Sequence, residues 1–348
     1  MNVVEILLAV LGISVLVILH ESGHYFAARA FGMRVTRFSI GLGPALFRYQ
    51  PKGSPTTFQV CAIPFLAYVQ IAGMNPAEDV DPKDPGLYPN KSVIGRIVTI
   101  FAGPFANYVT ASVLVFGLAM VGWPDDVPTS PMVVGDVRAG TPAARAGLKV
   151  GDVILEANGH RVRNVDDLIA ATRSRAKKPT AYVVRRNGRQ LPALQITPDR
   201  GADGRGIIGV APKTERRYTP MPIGDAARAA IVLPYRLTVL QLAAIADRVR
   251  ERSLDGLAGP VGMGKMVAQH VREGPAEYVW ILMLLSVALG MFNLLPFPAL
   301  DGGRLVFLVY ELVTRRRPNE RIEAMVHTVG LLLLLGLLVL VTFRDVTG

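Results

Sequence analysis

The chain has 348 residues, 51% of them hydrophobic and only 19% charged, with a mean hydropathy of +0.35. Those values exclude an ordinary soluble protein and place the chain among integral membrane proteins, with length enough for a helical bundle and one extramembrane domain of about 100 residues. The net charge of +11 does not indicate a nucleic-acid partner: the positive residues are scattered or flank apolar segments, where they face anionic lipid or cytoplasm, and no basic stripe with interleaved aromatics is present.

Four segments read as membrane spans. The first, Val3–Ala30, carries Glu5 as its only charge before His20. It has no basic leader and no small-residue cleavage site, so it reads as a retained helix, not a cleaved signal. Residues 35–72 read as strands: 57–63 is rich in β-formers, and Pro51-Lys52-Gly53-Ser54-Pro55 before it is turn chemistry. This stretch is too apolar for a free cytoplasmic loop, and a membrane re-entrant β-element packed against the helices is expected. Cys61, the single cysteine, excludes an intrachain disulfide and a Cys-cluster metal site. The second span is Val93–Val121. Residues 127–213 hold the one soluble-domain pattern, with short strands expected at 133–137, Val153–Ala157, 181–185 and 191–197, an Asn187-Gly188 hairpin turn and a short helix at 166–174. Residues 220–258 contain an amphipathic stretch in which Ile231, Leu237, Leu240, Ile245 and Val249 recur among Arg228, Arg236, Arg248 and Arg250. A helix on the outer membrane surface is expected there, with a fifth span as the alternative. The third span lies at 276–295, within a segment 259–303. The fourth lies at 324–341, and residues 330–341 have no polar side chain.

Basic residues orient these spans. Arg29, Arg34, Arg37, Arg48, Lys52, Lys83, Lys91 and Arg96 lie between the first two, and Arg304, Arg315, Arg316, Arg317 and Arg321 between the last two. Both short loops are therefore expected inside, and both termini and the 123–275 segment outside.

The chemistry-bearing pattern is His20-Glu21-Ser22-Gly23-His24 at the end of the first span. Helical positions i and i+4 share a face, so both imidazoles can reach one Zn²⁺, and Glu21 can take a proton from the attacking water. Ionisable residues at membrane depth are costly and mark function. A third ligand must come from elsewhere. Asp301 is the candidate, in Asn293-Leu294-Leu295-Pro296-Phe297-Pro298-Ala299-Leu300-Asp301-Gly302-Gly303, where two prolines break the helix. Asp301 alternatively N-caps a following helix at 304–314. Asn293 is placed to bind the substrate backbone or a developing oxyanion, or else satisfies a neighbouring carbonyl.

These residues resemble the site-2 protease family of intramembrane zinc proteases, in its bacterial regulator-of-sigma-E protease branch. The likeness runs through His20–His24, Gly41-Leu42-Gly43, Ala102-Gly103-Pro104-Phe105-Ala106-Asn107, Leu257-Ala258-Gly259-Pro260-Val261-Gly262 and 293–303. It implies His20, His24 and Asp301 as zinc ligands, Glu21 as the catalytic base, Asn293 as a substrate-binding residue and 35–72 as the strand that receives an unwound substrate. Residues 127–213 resemble a PDZ domain, most clearly over 147–154, with a generic β-sandwich as the alternative. The resemblance thus implies a polytopic α-helical protein of the bacterial inner membrane, with four transmembrane helices, a re-entrant β-element and one extracytoplasmic PDZ (α+β) domain. The best-known enterobacterial members carry two tandem PDZ domains and this chain has room for one, a departure that puts substrate-gating rules drawn from the two-domain form in doubt. The implied partners are the bilayer, single-span membrane substrates (anti-sigma factors or remnant signal peptides) and an upstream site-1-type protease that makes the first cut. Two rivals remain at this stage. One is a non-catalytic PDZ adaptor on a protease scaffold, which an altered Glu21 or Asp301 would favour. The other is a zinc transporter, which would need ionisable residues along several spans.

Overall fold

The computed structural model describes residues 2–75, 78–201, 203–251 and 259–347, the side chains of 64–66, 249 and 320 apart. The last part of the expected 220–258 segment, including Leu257-Ala258 of the family likeness, therefore lies outside the described residues. In chain order the elements are α1 (Val3–Ala30), β1 (Val35–Tyr49), β2 (Thr57–Ile71), α2 (Val93–Val121), β3 (Trp123–Pro128), β4 (Val134–Val137), α3 (Pro142–Arg145), β5 (Val153–Ala157), β6 (His160–Arg161) and α4 (Val165–Arg173). There follow β7 (Thr180–Arg186), β8 (Arg189–Gln190), β9 (Leu194–Ile196), β10 (Asp199–Arg200), β11 (Gly206–Ile207), β12 (Val210–Pro212), β13 (Thr214–Thr219), α5 (Ile223–Glu251), α6 (Pro260–Glu273), α7 (Pro275–Leu294), α8 (Asp301–Thr314) and α9 (Glu320–Thr347). They form two compact units, Met1–Gly122 with Pro220–Gly348, and Trp123–Thr219.

Among the described residues, five helices of the first unit are long and apolar enough to cross a membrane by length and composition: α1, α2, α7, most of α9, and Ile223–Arg248 of α5. That is one more than the four expected spans. The arginines of α5 are spaced widely enough that its best window still reaches a mean hydropathy of 1.7. The third span, expected at 276–295, corresponds to α7, and a further helix, α6, precedes it within the 259–303 segment. Gly274 takes φ +139 between them, where a helix cannot continue, and Pro275 opens α7 at a position that needs no amide donor.

Side-chain bonds fix how the helices run. Arg272 of α6 pairs with Glu5 at 2.7 Å and Tyr278 donates to Leu8 O at 2.8 Å, so α7 begins where α1 begins. Glu5 also closes a capping box with Asn2. Ser286 Oγ donates to Asn107 O at 2.9 Å, midway along α2, which runs the opposite way. At the far end Arg96 of α2 makes a buried 2.6 Å pair with Glu311 of α8. Helix α9 runs back from the start of α8 to α6, where Asp345 accepts from Gly262 N–H at 2.7 Å.

Strands β1 and β2 make a folded-over sheet. Residues 37–40 of β1 pair with 67–70 of β2 on one side and with 57–60 on the other, while 45–49 pair with 58–61. The 67–71 stretch thus forms an outer edge. Ser39, Gln59 and Cys61 are buried between the strands, while Leu46, Phe47 and Tyr49 near the turn, and Ile63 opposite Leu42, are exposed.

The second unit packs α3 and α4 against small antiparallel sheets. The largest has the order β6-β5-β7-β8, with β9 also on β7; β4 pairs with β12 and β3 with β13. Asn187 and Gly188 make the turn between β7 and β8 with φ of 49 and 78 degrees, the geometry of a type I′ hairpin. Asn164 caps α4 through Asp167 N–H. Met132, Val134, Ile154, Tyr182, Val184 and Ile196 fill the core, and the Tyr182 hydroxyl finds Thr172 Oγ1 at 3.0 Å. Asp152, fully buried, is held by the Arg186 guanidinium and by Lys149 N–H. Burial pushes its carboxyl upward, but those bonds outweigh it and hold the group below the usual carboxylate range.

Candidate metal centre

His20 and His24 project from adjacent turns of α1 and are buried at 6% and 8% exposure. Their Nε2 atoms are 3.2 Å apart. Asp301 arrives from a separate part of the chain, and its Oδ2 lies 3.2 Å from His20 Nε2 and 3.4 Å from His24 Nε2. The three residues form a group able to hold one ion. Tetrahedral ligands about 2.0–2.1 Å from a common centre lie about 3.3 Å from one another, so the donor spacing fits zinc. Asp301 Oδ2 is buried and makes no hydrogen bond, which leaves a lone pair for such an ion.

The chain makes this meeting possible by close approach. A Cβ on Gly23 would strike the Ala102 carbonyl oxygen, and one on Gly103 would strike the His24 ring. Two glycines therefore let α1 and α2 touch at the level of the histidines. Asp301 does not cap α8. Leu300 is the N-cap and Asp301 the first helical residue, so α8 starts three residues before the expected 304 and its carboxylate stays free. That position also favours negative charge, since the helix N-terminus carries partial positive charge.

The groups behind the histidines set their tautomers. His24 Nδ1 lies 2.8 Å from Thr99 O, a carbonyl that can only accept, so Nδ1 carries the proton and Nε2 is free to ligate. His20 Nδ1 lies 2.9 Å from the side-chain amide of Asn107, which is fully buried and whose Oδ1 makes no hydrogen bond. Turning that amide over presents Oδ1 to His20 Nδ1–H, which satisfies Asn107 Oδ1 and frees His20 Nε2 in the same way. Sequence reasoning assigned no role to Asn107 or Thr99. The available signal was Asn107 itself, an amide in an apolar span.

Glu21 is half-buried, and its Oε2 accepts Val69 N–H from the outer edge of β2 at 3.0 Å. Asn293 sits in the last turn of α7 and donates through Nδ2 to Leu289 O at 2.9 Å, the neighbouring-carbonyl bond anticipated as its alternative role. His160 is exposed in the second unit, and His270 bonds Met266 O within α6.

Residues 8–337 match the model of peptidase family M50. The chain is 32% identical over 375 residues to the metalloprotease MmpA of Caulobacter vibrioides, covering 96% of this chain and 93% of that one. It is 30% identical over 353 residues to a protein of Rickettsia conorii provisionally named a zinc metalloprotease, covering 97% of each. A provisionally named zinc metalloprotease of Nostoc sp. is 32% identical over 355 residues, covering 99% of this chain and 96% of its own. A solved PDZ domain of an SdrC-like protein from Listeria monocytogenes overlays 25% of this chain and 90% of its own at 20% identity, with a TM-score of 0.22, at which the likeness carries no argument.

Proposed function

The chain belongs to peptidase family M50 and is a metalloprotease, and we propose that it cuts single-span membrane proteins within or beside the bilayer, using a zinc ion held by His20, His24 and Asp301. The observation that carries this reading is the donor triangle of 3.2, 3.2 and 3.4 Å, assembled from α1 and α8 with both histidines backed from α2. When bound, zinc supplies a Lewis acid that polarises the scissile carbonyl and makes water acidic enough to attack near neutrality.

The chain's own residues supply the rest. Glu21 takes the proton released by the attacking water and passes it to the leaving nitrogen. Its bond to Val69 N–H keeps the carboxylate between the histidines' helix and the edge of β2. A peptide bond inside a helix is shielded, so the substrate must first be extended. The outer edge at 67–71 offers backbone donors and acceptors for an added strand, which would lay the extended segment beside Glu21. Asn293 retains its Oδ1 and a second N–H for the substrate backbone.

Helix direction supports four crossings. Helices α1 and α7 run the same way and α2 the opposite way, so the chain between α2 and α7 must leave and return on one face. Helix α5 starts beside the end of α2, where Met221 N–H bonds Ala119 O, and then slants across α2 and α7 through Thr238–Tyr108 and Gln241–Leu284 contacts. It is therefore read as an oblique element of the outer half and not as a fifth crossing. With both arginine-rich loops in the cytoplasm of a bacterial inner-membrane protein, the Trp123–Thr219 unit is extracytoplasmic, as are both termini. Its small sheets with α3 and α4 are read as a PDZ domain that binds a C-terminus or bars substrates with intact ectodomains. The substrates so selected are trimmed by a prior, site-1-type cut, as anti-sigma factors and remnant signal peptides are.

The test is cleavage of a tagged, ectodomain-trimmed single-span substrate by the purified protein in detergent. Wild type cuts and Glu21→Gln does not. Equal cleavage by Glu21→Gln would remove the base from this mechanism.

A further inference from the structure

We infer that His327, on α9, is a positioning residue that holds the turn carrying Asp301. The inference rests on the reading of Asp301 as a zinc ligand and extends it to a helix that contributes no ligand.

The turn between α7 and α8 is short of donors, because Pro296 and Pro298 have no N–H. Of the amides that remain, Leu295 bonds Phe292 O, Phe297 bonds Leu295 O and Leu300 bonds Phe297 O, all within the turn or the helix before it. Ala299 differs. Its N–H goes to His327 Nδ1, 28 residues later, at 3.0 Å. Ala299 also has φ +74, a left-handed conformation that a side chain other than glycine's disfavours. Such a conformation persists where its surroundings over-determine it. Helix α9 provides those surroundings. Gly330, one turn past His327, lies so close to Pro298 that a Cβ there would collide with it, and the His327 ring packs 5.8 Å from the Phe307 ring of α8. Asp301 follows two residues after Ala299, and its Oδ2 must sit within a few tenths of an ångström of its place to complete the triangle of 3.2–3.4 Å contacts. Because Nδ1 accepts from an amide, the ring proton is on Nε2, so His327 acts through one hydrogen bond and not as a ligand.

The experiment measures zinc affinity of the full-length protein in detergent by competition with a chromogenic chelator, with circular dichroism to establish helix content for each variant. His327→Phe keeps a ring against Phe307 but has no acceptor. His327→Asn places an amide oxygen near the position of Nδ1. His327→Ala loses both ring and acceptor. The expected result is affinity near wild type for His327→Asn and about ten-fold weaker binding for His327→Phe and His327→Ala, the lower end of the effect of groups behind metal ligands. Wild-type affinity in His327→Phe would show that packing suffices and overturn the inference, as would a His327→Asn variant no better than His327→Phe. A wild-type protein that binds no zinc would overturn the proposed function and this inference together, which separates the two failures.

Discussion

Replacing Asn107 with leucine, close to it in size, removes the one side-chain partner of His20 Nδ1 without opening a large cavity. Asn107 is fully buried, so no water replaces the lost acceptor, and the ring is left with an unmet donor or the wrong tautomer. An unsatisfied buried donor costs about 1–3 kcal/mol, which corresponds to roughly 5- to 140-fold in zinc affinity. The orientation of the amide is tested by Asn107→Asp. A carboxylate can only accept, so it keeps the bond from Nδ1–H and leaves Nε2 free, and affinity should stay near wild type. The assay is chelator competition at fixed pH in detergent. Wild-type affinity in Asn107→Leu would refute the argument that Asn107 sets the His20 tautomer.

Gly103→Ala drives a methyl into the His24 ring and should lower bound zinc at least ten-fold with α2 still helical, read by metal analysis beside circular dichroism. Glu311→Gln leaves the buried Arg96 guanidinium without its counter-charge and should destabilise the helical unit by about 3–5 kcal/mol, seen as a lower thermal midpoint in detergent. Asp152 gives the second unit a pH dependence. Its folded carboxyl titrates below the ordinary range, so its contribution is complete above the unfolded value near 3.9 and is lost as pH falls through the lower folded value. Pulse proteolysis of the whole chain should therefore show the Trp123–Thr219 unit losing stability on acidification, and Asp152→Asn should be weaker near neutral pH and lose less on acidification.

The parts of this architecture that were legible in sequence are those carried by local pattern. His20 and His24 share a helical face by spacing alone, and the prolines and glycines around Asp301 announce a broken helix. The Asn187-Gly188 turn is equally local. What was not legible depends on distance. The partners of His20 and His24 on α2 lie 87 and 75 residues away, and nothing near Asn107 names a histidine. His327 reads as the start of an apolar helix until Ala299 is seen against it. The separate helix α6 ahead of the third span turned on one backbone angle at Gly274, and the slant of α5 on contacts with α2 and α7, whereas its sequence shows only an apolar face interrupted by arginines.

The central claim is that three residues from α1 and α8 hold one zinc ion. Its most direct test is the zinc content of purified protein, measured by emission spectroscopy for wild type, Glu21→Gln and Asp301→Ala. One zinc per chain in wild type and in Glu21→Gln, with little or none in folded Asp301→Ala, is the predicted result. A full equivalent of zinc in Asp301→Ala, or none in wild type supplied with zinc, would contradict it.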